Sequence, residues 1–493
     1  MSADRSLLPQ RLDGLSIHLV GAKGTGMAAL AEILSARGAR LSGSDVADVF
    51  YTDAILKAIG VSMRTGFAAA NIPTEAQLVI HSAAYARESN PELVEAAFRG
   101  LPLLSYPEAL GLLSQGYSST GIAGVHGKTT TTALAGSLVS ALGLPATVLA
   151  GSAVSSFGGR STLVRGDSYF IAETCEYRRH FLSFWPFRIV LTSIESDHQD
   201  FFPTYRDIYE AFLDYLRLLP EDGELIYCAD DEGAVSAARE IAIERPGLRL
   251  VQYGVNAEGP FRLEGYAAGE GIAHFRLSGF AGEFSLRVPG RHIALDATAA
   301  LALAFSILCE DRSSRRAESA LEPSELEKAR RAVLGFAGSK RRSEILGEAG
   351  GVLFMDDYGH HPTAIRKTID GIKEFWPSRR LVVDFMSHTY SRTKALFKDF
   401  ASSLDGADAI VLHGIYASAR ESPDPEIDGR KLFGEVAVRR PSRPSIYFEN
   451  VLEGVDRLES FLKPGDLFLT MGAGDNWRLG DALLARLSGG AAR

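Results

Sequence analysis

The sequence predicts an α/β fold of three domains, and three observations carry that expectation. At 493 residues the chain is about three times the usual length of one domain. Two separated segments each read as a β-strand, a glycine-rich turn and a helix. A third series of strand-like runs follows residue 340. The expected organisation is an N-terminal Rossmann-like domain over residues 1–112, a central phosphate-loop domain over 113–336 and a C-terminal Rossmann-like domain over 337–493.

Each element has a local reason. SIHLV (Ser16–Val20) is a short β-rich run, GAKGTG breaks the chain, and MAALAEILSARG carries apolar residues at helical spacing until Gly38 ends it. ARLSGSD, QLVIHSA and LPLLS continue the alternation expected of a parallel sheet. STGIAGV then leads into HGKTTTTALAGSLVSALG, again strand, glycine turn and helix, and further strands read at SYFIAE, FRIVLTSI and GELIYCADD. GRHIALDATAALALAFSIL reads as a late helix of that domain. Residues 310–340, rich in Arg, Glu, Ser and Gly, are the expected hinge. Beyond them GVLFMDD, RRLVVDFM, DAIVLHGIY, SIYFEN and DLFLTMGAG alternate with helical patterns.

Composition excludes several classes. With 46% hydrophobic and 23% charged residues the chain is neither collagenous nor disordered. Its 52 basic against 61 acidic residues leave a net charge of −9, so no nucleic-acid partner is expected. Cys175, Cys228 and Cys309 fit no zinc spacing and imply no disulfide framework, which points to a reducing, cytoplasmic compartment. The first residues carry no secretory signal, and no run approaches the roughly 18 apolar residues of a membrane span, so no membrane insertion is expected.

The chemistry gathers at strand ends. In GVHGKTTTT, Gly124, Gly127, Lys128 and Thr129 follow a β-run directly, where backbone N–H groups face a phosphate and a threonine hydroxyl can meet Mg²⁺. The strict eight-residue pattern fails, because Ile122 occupies the position of its first glycine. The turn with Gly21, Gly24 and Gly26 lacks dinucleotide spacing and reads as a general nucleotide or diphosphate site, with Asp45 placed for a ribose hydroxyl. Glu173 and His198 end two other strand runs, with Asp197 and Asp200 as alternative acids. Asp356, Asp357, Tyr358, His360 and His361 follow one C-terminal strand, and His388 and Arg392 another. Without a third spaced ligand, zinc is disfavoured; the cluster suits a nucleotide and an anionic substrate, Arg392 offering a fork for a carboxylate.

Taken in order, GVHGKTTTT, AETCEY, IESDHQDFF, CADD, GRHIALDATAALA, GFAGSKRRSE, DDYGHHPTAI, HTYSRT and MGAGD resemble the motif series of the Mur ligases over nearly the whole chain. The GxxGM turn, GSD after the second strand, DDY-x-HHP and HxYxR resemble the branch that joins L-alanine to UDP-N-acetylmuramate. The resemblance implies a UDP-sugar domain, an ATP domain and a mobile amino-acid domain, an acyl-phosphate intermediate, and ATP with Mg²⁺. It implies that Lys128 holds the γ-phosphoryl group, Thr129 and Glu173 one Mg²⁺ and His198 the other, within a loop of Gly124, Val125, His126, Gly127 and Thr130. His292 and Asp296 would lie in the adenine segment, Asp357 near the ATP ribose, and Arg341 and Arg342 in the closed site. Gly24, Thr25, Gly26, Met27, Ser44 and Asp45 would take the UDP-sugar; Tyr358, His360, His388 and Arg392 the amino acid. A monomer or weak homodimer is expected.

Several positions depart from sister patterns. A carbamylated lysine used by several Mur ligases would fall at Leu213, which favours the L-alanine branch or the murein tripeptide recycling ligase. Tyr358 favours the former and Ala364 the latter. ETCEYRRHF replaces the usual EADESDGSF, so Arg178 and Arg179 suggest a stronger anion site, while Ile293 and Asp296 replace asparagines that would serve adenine. A nucleotide-binding homologue without turnover is the alternative; an NAD oxidoreductase is disfavoured by the glycine spacing.

Overall fold

The computed structural model describes residues 7–312, 321–417 and 421–489. The first sheet holds β1 (Ser16–Val20), β2 (Arg40–Asp45), β3 (Ser62–Thr65), β4 (Leu78–His81) and β5 (Leu103–Ser105), all parallel in the order β3-β2-β1-β4-β5. The order reverses beside β1, so the glycine turn after it opens into the crevice where α/β sheets bind ligands.

The second sheet holds β6 (Ser118–Ala123), β7 (Ala146–Val154), β8 (Arg160–Val164), β9 (Tyr169–Glu173), β10 (Arg188–Leu191), β11 (Glu224–Cys228) and β12 (Arg249–Tyr253). Its order is β12-β11-β10-β6-β9-β7-β8, with only β8 antiparallel. β6 is flanked by β9 and β10, in register at Ile122 with Glu173 and at Ala123 with Leu191. The phosphate loop, Glu173 and the segment from Thr192 to His198 therefore leave one sheet edge side by side.

The helix Arg291–Asp311 is apolar all round because it is enclosed. By length and hydropathy it would pass for a membrane span, contrary to the expectation of no such run, yet 89% of its apolar window is buried in protein. It packs on the helix Lys128–Leu142. An antiparallel trio that the sequence did not announce follows β12: β13 (Leu263–Gly269), β14 (Ile272–Leu277) and β15 (Phe284–Leu286). Within the expected hinge the described residues include a helix. Pro323–Leu334 is a helix that buries Ala329 and Val333 against the middle domain, and residues 313–320 lie outside the described residues.

The last sheet holds β16 (Glu344–Ala349), β17 (Val352–Asp357), β18 (Arg380–Phe385), β19 (Ala409–Leu412), β20 (Ser445–Tyr447) and β21 (Asp466–Met471). Its order is β16-β17-β21-β18-β19-β20, with β16 an antiparallel edge. The loops after β17 and β18 carry the histidines and Arg392 and face the middle domain. The chain crosses between the two domains with Lys340 N–H donating to the Ala153 carbonyl at 2.8 Å.

Candidate active site

The phosphate loop is built by two glycines. Gly124 (φ 137°) and Gly127 (φ 79°) lie in backbone regions that side chains disfavour, and a Cβ would collide with the Thr192 hydroxyl or the Asp296 carboxylate. The helix Lys128–Leu142 starts on Gly127 with no side-chain cap and no acid in its first turn, which leaves its leading N–H groups for an anion. The Val125 and His126 amides, expected to serve the nucleotide, instead donate to the Ser193 carbonyl and hydroxyl, each at 3.1 Å. They strap the loop to the exit of β10. Thr130 is buried in the helix's first turn.

Lys128 meets a partner that sequence reasoning missed. Its Nζ donates to the Gly124 carbonyl and to Glu176 Oε2 and Oε1 at 2.9 and 3.2 Å, and Glu176 is 2% exposed. Burial opposes both charges, but each outweighs it for the other: Glu176 holds the Lys128 pKa up, and Lys128 with His198 holds that of Glu176 down. The available signal was a second glutamate three residues past Glu173 in ETCE.

Glu173 Oε2 accepts from the Thr129 hydroxyl at 2.8 Å and from Gly151 N–H at 2.9 Å. A hydroxyl beside a carboxylate, at the start of a phosphate-loop helix, is a donor set of the hard-oxygen kind that Mg²⁺ takes together with phosphate oxygens. His198 adopts a positive φ of 54°, and its Nε2 lies 3.4 Å from Glu176 Oε1. The two alternative acids separate clearly. Asp200 accepts from the Tyr177 hydroxyl at 2.8 Å on the surface, whereas Asp197 turns inward.

Asp197 Oδ1 accepts from Arg392 Nε and Nη2 at 3.2 and 2.7 Å, an ion pair between domains with side chains 5% and 8% exposed. Burial opposes the charge, but Arg392 and His198 hold the carboxyl well below the ordinary range. His388 Nδ1 lies 3.4 Å from Arg392 Nη1. His360 is kept neutral, first by burial and then by Arg392, and its Nδ1 engages the Tyr358 carbonyl at 3.0 Å. That bond makes Nδ1 the protonated nitrogen and leaves the lone pair on Nε2. The Tyr358 ring lies between the Arg341 and Arg342 guanidinium groups, each at 5.2 Å. Arg341, expected in the closed site, instead binds Asp356 at 2.8 Å and the carbonyls of Gly472 and Gly474 at 2.7 and 3.1 Å, pinning the MGAGD turn. Asp357 accepts from Ser343 and Gly359 N–H, both at 2.7 Å, and so shapes the loop after β17.

His292 Nδ1 is buried with no hydrogen-bond partner among the described residues, as a contact awaiting a base edge would be. Burial, aided by Lys367 and His126, lowers its pKa to about 3. Burial raises Asp296 to about 7, against Lys367, Thr131 and Arg342. An acid raised in this way contributes nothing below about pH 3.8, weakens the fold as pH climbs from 3.8 to 7, and costs most above 7. Asp296→Asn is therefore expected to stabilise the middle domain by about 2–4 kcal/mol at pH 8 and by nothing near pH 3, measured by urea denaturation at both pH values.

In the first domain the helix Thr25–Ala36 also starts on a glycine, Gly24, with no side-chain cap and no acid in its first turn. Gly24, Thr25 and Gly26 thus form a second anion seat, and Tyr51 donates to the Thr25 hydroxyl at 3.1 Å. Three expected contacts are engaged within the protein. Met27 is 3% exposed in the core, Ser44 is fully buried with its hydroxyl on Glu92 at 2.5 Å, and Asp45 accepts the Lys23 and Val46 amides at 2.7 and 2.8 Å. The expectation of a stronger anion site at Arg178 and Arg179 also fails in part, because Arg179 pairs with Asp214 at 2.9 Å. Leu213 is fully buried, as an apolar substitute for a metal-ligating lysine would be.

Three family models match the chain: Mur ligase family, catalytic domain over residues 16–118, Mur ligase middle domain over 122–304, and Mur ligase, glutamate ligase domain over 341–474. The UDP-N-acetylmuramate--L-alanine ligase of Treponema pallidum (strain Nichols) is 52% identical over 97% of this chain and 98% of its own length. The chain belongs to the Mur ligase family. A UDP-N-acetylmuramate--L-alanine ligase from Borreliella burgdorferi is 38% identical over 95% of this Mur ligase and 98% of its own. Among solved structures, the UDP-N-acetylmuramate-alanine ligase MurC from Thermotoga maritima matches with TM-score 0.74 at 24% identity, over 96% of this chain and 99% of that one. The murein peptide ligase from Psychrobacter arcticus 273-4 matches with TM-score 0.65 at 22% identity, over 97% and 100%. These two likenesses establish the three-domain α/β fold.

Proposed function

We propose that this Mur ligase uses ATP to join the lactyl carboxylate of UDP-N-acetylmuramate to L-alanine, a step of peptidoglycan precursor synthesis in the cytoplasm. The observation that carries the reading is the run from Asp197 to His198. One residue grips Arg392 of the C-terminal domain at 2.7 Å, and the next lies 3.4 Å from Glu176, the partner of Lys128. An amine-acceptor face and a phosphate-loop lysine are thereby joined by two consecutive residues. The name and near-complete coverage of the 52%-identical relative support the choice of substrates.

In this reading residues 1–112 hold the UDP-sugar, with its diphosphate at Gly24, Thr25 and Gly26; residues 113–336 hold ATP; and residues 337–493 bring the amino acid. A carboxylate is a poor electrophile, so its oxygen first takes the γ-phosphoryl group and ADP leaves. The amine then attacks the acyl phosphate and phosphate departs. Lys128 balances the charge on the transferring group, and Thr129, Glu173 and His198 would hold Mg²⁺, which when bound neutralises phosphate oxygens. His292 offers its unpaired nitrogen to adenine. Arg392 and His388 receive the amino-acid carboxylate, with neutral His360 beside them. Closure of the third domain excludes water from the acyl phosphate. The reading takes the protein as a monomer or weak homodimer.

Phosphate release from ATP and Mg²⁺ tests the reading. It is expected only with UDP-N-acetylmuramate and L-alanine together. Release only with a tripeptide in place of L-alanine, or ATP binding without release, would replace it with the recycling or the inactive reading.

A further inference from the structure

Three side chains converge between the middle and C-terminal domains, beside the proposed catalytic groups. Glu195 follows β10, His126 stands in the phosphate loop, and His361 precedes the helix Pro362–Phe375. His126 Nε2 and His361 Nδ1 lie 3.2 and 3.7 Å from the same oxygen, Glu195 Oε2, and the three ligand atoms fall within 4.8 Å of one another. The imidazole rings are 5.1 Å apart.

Hydrogen bonds join all three side chains, His126 directly to Glu195 and His361 by way of Thr363. His361 Nδ1 accepts from Thr363 N–H at 3.4 Å, so its lone pair is on that nitrogen. Glu195 Oε2 is an acceptor too, taking the Thr363 hydroxyl at 3.0 Å. His126 Nε2 is within hydrogen-bond reach of the same oxygen at 3.2 Å, so a cation bound here takes the place of the hydrogens now directed at Glu195 Oε2 and His361 Nδ1. A tetrahedral ion with bonds of about 2.0–2.1 Å holds its ligands about 3.3 Å apart. The distances of 3.2 and 3.7 Å bracket that spacing.

We propose that His126, Glu195 and His361 bind a divalent transition-metal cation of the Zn²⁺ class at the closed interface of the two domains. Two imidazoles and one carboxylate suit such an ion, whereas Mg²⁺ takes oxygen donors such as Thr129 and Glu173. Because His126 and His361 come from different domains, the ion holds them closed. Because His126 belongs to the phosphate loop, occupancy slows turnover.

Co²⁺ added to the full chain with excess Mg²⁺, without nucleotide or amino acid, tests the site through visible d–d absorption. The expected result is the intense spectrum of a tetrahedral ion, one Co²⁺ per chain, bleached by Zn²⁺. Glu195→Gln and His361→Asn are each expected to weaken binding at least tenfold, while Thr363→Val, which keeps every ligand atom, retains the spectrum; circular dichroism selects variants that fold. No visible spectrum with the wild-type chain, or an unchanged one in a folded Glu195→Gln or His361→Asn variant, would overturn the proposal. The readout uses the metal alone, so its outcome is independent of the ligase reading.

Discussion

Lys128→Ala is expected to lower kcat by roughly 10³-fold or more, because one positioned cation at a transferring phosphoryl group contributes on that order. A second consequence follows from Glu176. The pair has side chains 12% and 2% exposed, and removing the lysine strands a buried carboxylate, at about 3–5 kcal/mol. Lys128→Ala alone should therefore be both inactive and less stable. In the Lys128→Ala/Glu176→Gln double variant the stranded charge is gone, so stability recovers while activity does not. Phosphate release and urea denaturation of the three proteins check both halves. A double variant that regained turnover would show that Lys128 serves only to neutralise Glu176.

Arg392→Ala is expected to raise the KM for the amino acid roughly 10²-fold and to lower kcat, with the KM values for ATP and the UDP-sugar little changed. The guanidinium has two roles in this account: it receives the substrate carboxylate, and it ties Asp197 to the C-terminal domain at 2.7 Å. Arg392→Lys should rescue poorly, since an ammonium lacks the planar fork that reaches Asp197 from both Nε and Nη2. Steady-state kinetics with each substrate varied separately gives the comparison. Equal increases in all three KM values would indicate loosened packing instead of a lost carboxylate contact.

The succession of strands and helices was legible because each β-run ends in a glycine or a polar residue just where a site begins, as at Gly124, Glu173 and Asp357. Strand–turn–helix periodicity reveals which residues leave the sheet edge. It does not reveal what they touch there. Val125 and His126 lie in the right loop, yet their amides bond Ser193, a contact across 67 residues from His126 that local pattern cannot encode. Glu176 was hidden in a short segment whose Arg178 and Arg179 take left-handed φ values of 51° and 59°, conformations no propensity anticipates. Asp45 and Ser44 sit where UDP-sugar contacts were expected, but their side chains are already bonded to backbone amides and to Glu92. The trio β13–β15 escaped because its strands are short and interrupted by Gly265, Gly269 and Gly271, so the alternation in β14 and β15 spans only a few residues.

The most direct measurement follows oxygen. UDP-N-acetylmuramate labelled with ¹⁸O in its lactyl carboxylate is turned over with ATP, Mg²⁺ and L-alanine, and the released phosphate is weighed by mass spectrometry. An acyl phosphate formed at the Lys128 site requires one labelled oxygen in each phosphate. Unlabelled phosphate released together with the amide product would contradict carboxylate activation by phosphoryl transfer.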